Sequence, residues 1–274
     1  IQYDFSDFDS GNEYIDPAHL YTYDLDVFGD YSLFQYINRT STPVGKQHLA
    51  DWFNAHLELK ESIEQRQEAI RELSTDLEYR QQIRLYGLLY KGKPADTNEI
   101  REWAGSPSYY RKHTLLRIIP TVVSIINLIC IGSAIVGILP ATVPGGVFFC
   151  FVIFSSIFSK GITKLQATYG KKLQILSTYA DQILLTEKKE MNSPVLQQLK
   201  TELTSQNQTA SQAVRQLSKL MNALDQRSNL LMSTILNGLI FWELRQVMRI
   251  EKWKETHASD LPRWIETIGE IDAY

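Results

Sequence analysis

Residues 118–159 read IIPTVVSIINLICIGSAIVGILPATVPGGVFFCFVIFSSIFS, forty-two consecutive positions without Asp, Glu, Lys, Arg or His. The first half, 118–139, is rich in Ile, Val and Leu. Pro140, Pro144, Gly145 and Gly146 interrupt it, and 147–158 then carries five Phe among Val and Ile. The hydrocarbon core of a bilayer takes about 20 apolar residues per helix, so 118–139 is long enough to cross and 141–159 barely so. Backbone groups in lipid must be satisfied within the segment, which demands helices. Proline removes a helical hydrogen bond. The pattern therefore predicts two antiparallel helices, 118–139 and 141–159, joined by a short turn at 140–146.

The flanks favour a membrane. Arg111, Lys112 and Arg117 precede the run, Lys160, Lys164, Lys171 and Lys172 follow it, and no acid occurs from Trp103 to Ala180. A two-pass hairpin has both ends on one side, and basic flanks mark that side as cytoplasmic. A basic block beside an apolar hairpin also suits anionic lipid headgroups. The competing reading is a hairpin buried in a soluble core or an oligomer interface of a cytoplasmic protein. A charge-free run of this length with basic flanks is uncommon there.

Composition adds bounds. The 274 residues suffice for one large or two medium domains, and a net charge of −3 does not select nucleic acid as a bulk partner. Residues 1–38 hold eight acids and no Lys or Arg. Both cysteines, Cys130 and Cys150, lie inside the apolar run, which predicts buried, reduced thiols rather than a disulfide framework or zinc site. The acidic N-terminus has no apolar signal-peptide core. The missing initial Met fits a piece of a longer protein.

Along the chain, 1–23 reads as an acidic, aromatic arm on the main body or as a disordered linker, its aromatic content favouring the arm. Ser32-Leu-Phe-Gln35 has the form of a capping box, with Leu33, Phe34 and Ile37 as an apolar face. Thr42-Pro43 restarts a helix as N-cap and first residue, with Leu49, Trp52 and Phe53 as its buried stripe. Helices follow at 61–73, with Ile63, Ile70 and Leu73 inward, and at 77–89, ended by Gly92 and Pro94. Asp96 opens a short helix carrying Ile100 and Trp103. After the apolar run, 164–189 reads as one helix, and Ser193-Pro194 begins another. From Ala210 to Lys254 there is no Pro and one Gly. Val214, Leu217, Met221, Leu224, Leu231, Ile235 and Trp242 form a heptad-like seam there, predicting a rod of roughly 60 Å at 1.5 Å per residue. Asp260-Leu-Pro262 starts a last helix through Ile271. The class expected is all-α.

The stretch 24–53, DLDVFGDYSLFQYINRTSTPVGKQHLADWF, resembles the start of the core domain of the MutS mismatch-repair family. Ser32, Leu33, Asn38, Arg39, Thr40, Thr42, Pro43, Gly45, Leu49 and Trp52 match its Ser-Leu … Asn-Arg-Thr-x-Thr-Pro-x-Gly … Leu-x-x-Trp pattern. Residues 63–73, IEQRQEAIREL, are similar to the family's next helix. Residues 224–229 and 235–239 resemble the lever, and 264–273 the lead into the ATPase domain. The resemblance implies a long-helix bundle of core/lever type with an inserted apolar hairpin. Its parts are an arm at 1–23, core helices at 24–110, the hairpin with its basic flanks at 111–164, and lever helices at 165–274. It also implies an ATPase domain beyond Tyr274 that uses ATP and Mg, a homodimer, and DNA as a partner by resemblance alone. The hairpin stands where mismatch-repair members insert their DNA clamp, and no Phe-x-Glu mismatch-reading segment precedes the core. Mismatch recognition is therefore carried over to no residue.

Catalytic, cofactor and metal residues are expected to be none. No Gly-x-x-x-x-Gly-Lys-Ser/Thr occurs. Gly132 and Gly137 have the glycine spacing but stand in the apolar run, where Ser133/Gly137 and Ser155/Ser159 read as helix-packing pairs. Gly45-Lys46 lacks the upstream Gly, leaving Lys46 as an exposed first-turn lysine. His19, His48, His56, His113 and His257 are scattered, with His48 and His56 on one helix face. Thr40 and Thr42 read as caps, and Arg39 as a bridge between helix ends. The function expected is a non-catalytic core/lever, or transmission, region of a membrane-associated MutS-like ATPase. It would lie on the cytoplasmic side and contact the bilayer through 118–159. The alternative is a membrane-anchored helical scaffold dimerising through the 214–242 seam.

Overall fold

The computed structural model describes residues 5–89, 94–204, 208–225 and 229–274. Among these residues the chain is all-α. It has twelve helices, a 3-10 turn at Asn12–Tyr14, and no strand beyond one isolated bridge between Thr204 and Thr209. The helices are α1 (Leu33–Ile37), α2 (Pro43–Asn54), α3 (Lys60–Thr75), α4 (Leu77–Leu89), α5 (Pro94–Gly105), α6 (Thr114–Ile135), α7 (Thr142–Lys188), α8 (Pro194–Glu202), α9 (Ala210–Asp225), α10 (Leu230–Ile240), α11 (Trp242–His257) and α12 (Asp260–Ala273). They form two compact units. One comprises Ile1–Arg101, Ile175–Gln212 and Asp260–Tyr274; the other comprises Glu102–Gln174 and Ala213–Ser259.

In the first unit, local signals set the helix starts. Thr42 Oγ1 accepts from the Gly45 N–H at 3.0 Å with Pro43 in the first turn. Ser32 caps α1 by accepting from the Gln35 N–H, but Gln35 Oε1 takes the Tyr31 N–H, so only half the expected box forms. With five residues, α1 buries Phe34 and the polar Gln35; Leu33 and Ile37 stay exposed. Phe34 packs with Val27, Phe28, Leu49 and Ala50, and Tyr14, Trp52 and Phe53 rim this cluster. In α3, Ala69 and Leu73 face inward while Ile63 and Ile70 lie exposed. The buried stripe is thus one i, i+4 pair, offset from the larger side chains that suggested it. The arm does lie on the body: Gln35 donates to the Ser6 and Phe8 carbonyls, and Asn38 to that of Asp9. Gly92 is outside the described residues.

α12 packs on α2 at close range. A Cβ on Gly269 would fall 2.3 Å from Val44 Cγ1, and one on Gly45 would fall 2.4 Å from Asp272 Oδ2. Asp272 accepts four hydrogen bonds, from the backbone and the hydroxyls of Ser41 and Thr42. Burial pushes its carboxyl above the ordinary range, against the pull of those donors.

In the second unit the apolar hairpin is present with different joints. Its turn lies at 136–141, where Gly137 takes φ +82° and the Ile138 and Leu139 N–H groups return to the Ser133 carbonyl. Pro144 is the third residue of α7 rather than part of the turn. The first-turn N–H groups of a helix have no intrahelical partner, so proline is tolerated there. No further proline follows until Pro194, and α7 runs unbroken into the segment expected as a separate helix at 164–189.

The expected rod over 210–254 is broken twice. Asn229 caps α10 by accepting from the Met232 N–H at 3.2 Å. Phe241 adopts φ 52°, ψ 50°, ending α10 and starting α11. The seam divides accordingly. Val214, Leu217, Met221 and Leu224 are buried within the chain, whereas Leu231 and Ile235 are exposed. Apolar spacing persists across both breaks because it does not register the Asn side chains that cap them.

Candidate functional site

Three apolar helices of the second unit share one surface. The apolar window of α6 is 17% buried and that of α7 is 0% buried. Ile118, Val122, Ile125 and Ile129 of α6 and Phe149, Ile153 and Ile157 of α7 are exposed. The third is α10, whose eleven residues carry no charge and whose Leu230 (80%) and Leu231 (79%) are largely exposed. It packs on α6. A Cβ on Gly238 would strike the Phe148 ring of α7 at 2.3 Å.

Beneath this surface lies a polar network that closes the break at Phe241. The last turn of α10 leaves four carbonyls without helical continuation. The Phe241 N–H serves Asn237, and Asn127 Nδ2, from α6, serves Gly238 at 2.9 Å and Leu239 at 3.0 Å. Arg245 Nε serves Ile240 at 2.9 Å. On the other side of the break, Asn237 Oδ1 accepts from the Glu243 N–H at 3.0 Å. The Glu243 carboxylate in turn accepts from Asn237 Nδ2 and Ser233 Oγ. Arg245 Nη2 donates to the Pro120 carbonyl and to Ser124 Oγ, both at 2.8 Å. Asn127, Asn237 and Glu243 are all buried. The Phe241 ring packs among Phe151, Phe154 and Phe158, with centroids 5.7–6.4 Å away.

At the base of the hairpin is a cleft of about 540 Å³ whose lining includes Arg111, Lys112, Arg117, Lys254 and Glu255. α11 holds this base in place. The Glu251 carboxylate accepts from the N–H groups of Tyr109, Tyr110 and Arg111, and Lys254 Nζ donates to the Ser106 carbonyl and Oγ. Arg111 Nε bonds Glu255 at 2.8 Å. Although burial pulls it upward, Ser108, Arg111 and Arg117 leave the Glu255 carboxyl below its ordinary range. One carboxylate thus faces four cationic side chains, and the cleft is net positive.

The residues singled out in the sequence have structural roles. The Arg39 guanidinium stacks on the Phe8 ring at 3.5 Å and donates to the Asn38 carbonyl. Thr40 Oγ1 donates to Asn38 Oδ1, and Thr42 is a cap. Lys46 is not an exposed lysine: it is mostly covered and pairs with Asp9 and Glu13. His48 pairs with Glu266 at 3.0 Å, and Arg101 pairs with the same carboxylate. His56 lies past the end of α2, so the two histidines share no helix face. His19 bonds the Asn54 carbonyl. Cys130 is half-buried and Cys150 exposed, not buried as expected, because the face they stand on is uncovered in this chain. A Cβ on Gly132 or Gly137 would meet nothing within 4 Å, so neither marks a helix contact within the chain. Among the described residues no group of three or more His, Cys, Asp or Glu could hold a metal.

The family model for MutS domain III matches residues 22–274. The chain belongs to the MutS family. No curated protein and no solved structure matches it. The match runs through α6, α7 and α10, so the apolar surface lies within the span of this MutS domain III rather than outside it. Sequence reading found α6 and α7 by their missing charges. It missed Asn127, Asn237, Glu243 and Arg245, whose only local signal is a polar residue within or beside an apolar helix.

Proposed function

We propose that this MutS domain III is the non-catalytic transmission region of a membrane-associated MutS-like ATPase. The single observation that carries the membrane reading is the exposure of α6 and α7. Two helices apolar and long enough to cross a bilayer are covered by almost nothing in their own chain, whereas a core helix of a soluble protein would be mostly buried. The net-positive cleft at their base supports contact with anionic headgroups, with both hairpin ends on the cytoplasmic side. Membership of the MutS family supports an ATPase domain that uses ATP and Mg, a homodimer, and DNA as a partner. This chain carries no Gly-x-x-x-x-Gly-Lys-Ser/Thr sequence, which supports the relay reading.

The scaffold alternative is weakened by the burial of Val214, Leu217, Met221 and Leu224 inside the chain, which removes four of the seven residues of its dimer seam. Deleting 118–159 and closing with a Gly/Ser link tests the membrane reading. The deleted protein should move from the membrane fraction to the soluble fraction, still helical. An intact chain that is soluble without detergent would overturn it. Relay is tested in the longer protein: ATP should alter hydrogen exchange in 210–257, and unchanged exchange there refutes transmission.

A further inference from the structure

We propose that α10 and the start of α11 form a re-entrant element, a third membrane-embedded part of this protein that dips to about half the depth of the α6–α7 hairpin and returns. The proposal rests on the membrane reading above and adds a lipid contact where sequence and family place a lever.

The direction of the chain comes from its contacts. Ser233 Oγ reaches Glu243 Oε1 at 2.8 Å. In one continuous helix those residues would be about 15 Å apart along the axis, so α10 and α11 fold back at Phe241. α11 then climbs toward the base of the hairpin. Arg245 stands at Pro120 and Ser124, and Glu251 at residues 109–111, before the start of α6. α10 therefore enters from the base side, and its last turn is the deepest point: Gly238 lies against Phe148 and Val152, nearer the hairpin turn than Phe151, Phe154 and Phe158, which surround Phe241. The carbonyls that Asn127 serves, Gly238 and Leu239, sit about 20 Å along α6 from Thr114, inside a hydrocarbon core about 30 Å thick.

The chemistry suits that depth. Eleven residues give about 16 Å of helix, too short to cross. Non-helical backbone is tolerated within a membrane only where protein partners satisfy it. Here Asn127, Arg245 and the Phe241 N–H serve all four stranded carbonyls, and Phe151, Phe154 and Phe158 enclose the turn. The side of α10 away from this network is uncharged and mostly apolar: Leu230, Leu231, Met232 and Ile235 are exposed, with Thr234 among them, on a helix packed against α6 and, at Gly238, against Phe148 of α7. Continuity of that uncharged surface commits the occupant to lipid acyl chains.

The test uses the full-length protein with Cys130→Ser and Cys150→Ser, in vesicles of phosphatidylcholine and phosphatidylglycerol. Single cysteines at Leu231, Ile235, Ile153 and Lys252 carry an environment-sensitive fluorophore, each variant being checked for helicity. Nitroxides on the lipid acyl chains should quench the probes at 231, 235 and 153 several-fold more than the probe at 252. Quenching at 153 with none at 231 and 235 would overturn the re-entrant element and leave the hairpin standing. No quenching at 153 would defeat the membrane reading itself. Efficient Leu231→Cys disulfide pairing between two copies, with 231 unquenched, would make this face a protein interface and refute the lipid contact.

Discussion

Asn127→Leu isolates the network that closes the break between α10 and α11. The side chain is nearly isosteric and favours helix, so α6 keeps its propensity. The variant loses both hydrogen bonds to the Gly238 and Leu239 carbonyls. Two estimates of the effect compete. If lipid or water could reach those carbonyls, or if they found other partners when α10 and α6 separate, the loss would resemble an average hydrogen bond between membrane helices, about 0.6 kcal/mol. But Asn127 is buried, and Gly238 is closed over by Phe148 and Val152. A stranded buried acceptor is destabilising by about 1–3 kcal/mol. The structure therefore favours the larger figure, about 2–6 kcal/mol for two carbonyls. For a unit of this size, at about 4 °C per kcal/mol, that corresponds to a Tm lowered by roughly 8–24 °C. The assay is thermal unfolding of the full-length protein in mild detergent, followed by near-UV circular dichroism at Trp and Phe. A companion, Asn237→Leu, removes the acceptor for the Glu243 N–H on the other side of the break, and its effect should be less than additive with that of Asn127→Leu, since both close one turn. A melting temperature unchanged within about a degree in Asn127→Leu would refute the account of the break.

The remaining predictions concern the first unit. Gly269→Ala should destabilise by about 1–3 kcal/mol, because its Cβ meets Val44 at 2.3 Å; Val44→Ala in the same chain should recover part of that loss in denaturant titration. Trp52→Ala should lower stability by only about 1–2.5 kcal/mol: the ring is half-buried between Tyr274, 4.7 Å away, and the Arg66 guanidinium, 4.3 Å away, rather than enclosed. Phe34→Ala, at a fully enclosed ring, should cost about 3–5 kcal/mol, and equal effects at the two sites would show the core misplaced. The Lys189 ammonium and the Tyr79 N–H hold the Asp76 carboxyl below its ordinary range. Its small contribution is present above the ordinary value, about pH 4, and is lost as pH falls through the lower folded value. The stability gap between wild type and Asp76→Asn should therefore close on acidification, and a gap that widens would contradict the pairing.

What was legible in the sequence was local. Thr42-Pro43, Ser193-Pro194 and Asp260-Leu-Pro262 mark helix starts because a first-turn proline fits only there, and α2, α8 and α12 begin there, with Thr42 making its cap bond and Ser193 making none. The charge-free run marks α6 and α7 because composition over twenty residues needs no partner. The errors are of the opposite kind. Pro144 and the two glycines after it looked like the turn, yet a helix start absorbs them and Gly137 makes the turn. Ile63 and Ile70 looked inward by size, yet Ala69 takes the buried position because α3 is closely packed there. Lys46 looked solvated because its partners, Asp9 and Glu13, are more than thirty residues away in the arm.

The site was illegible for the same reason in a stronger form. A non-glycine residue at φ 52° is disfavoured by the contact of its Cβ with the backbone, so nothing about Phe241 itself announces a break in a segment free of proline. The conformation persists because groups far away in sequence bind the carbonyls it strands, and Asn127 lies more than a hundred residues upstream. An apolar period of three and four therefore continues through the break. What the period does contain is Asn237, set among Leu, Ile and Gly in an otherwise uncharged helix. In a soluble rod it would be an unremarkable polar substitution. Facing a surface as apolar as that of α6, α7 and α10, a buried amide must be bonded on both sides, and Asn237 is: its Oδ1 takes the Glu243 N–H and its Nδ2 meets the Glu243 carboxylate. A lone amide inside an uncharged run thus points to a place where the backbone needs a donor or an acceptor, and here that place is the turn on which the apolar unit is built.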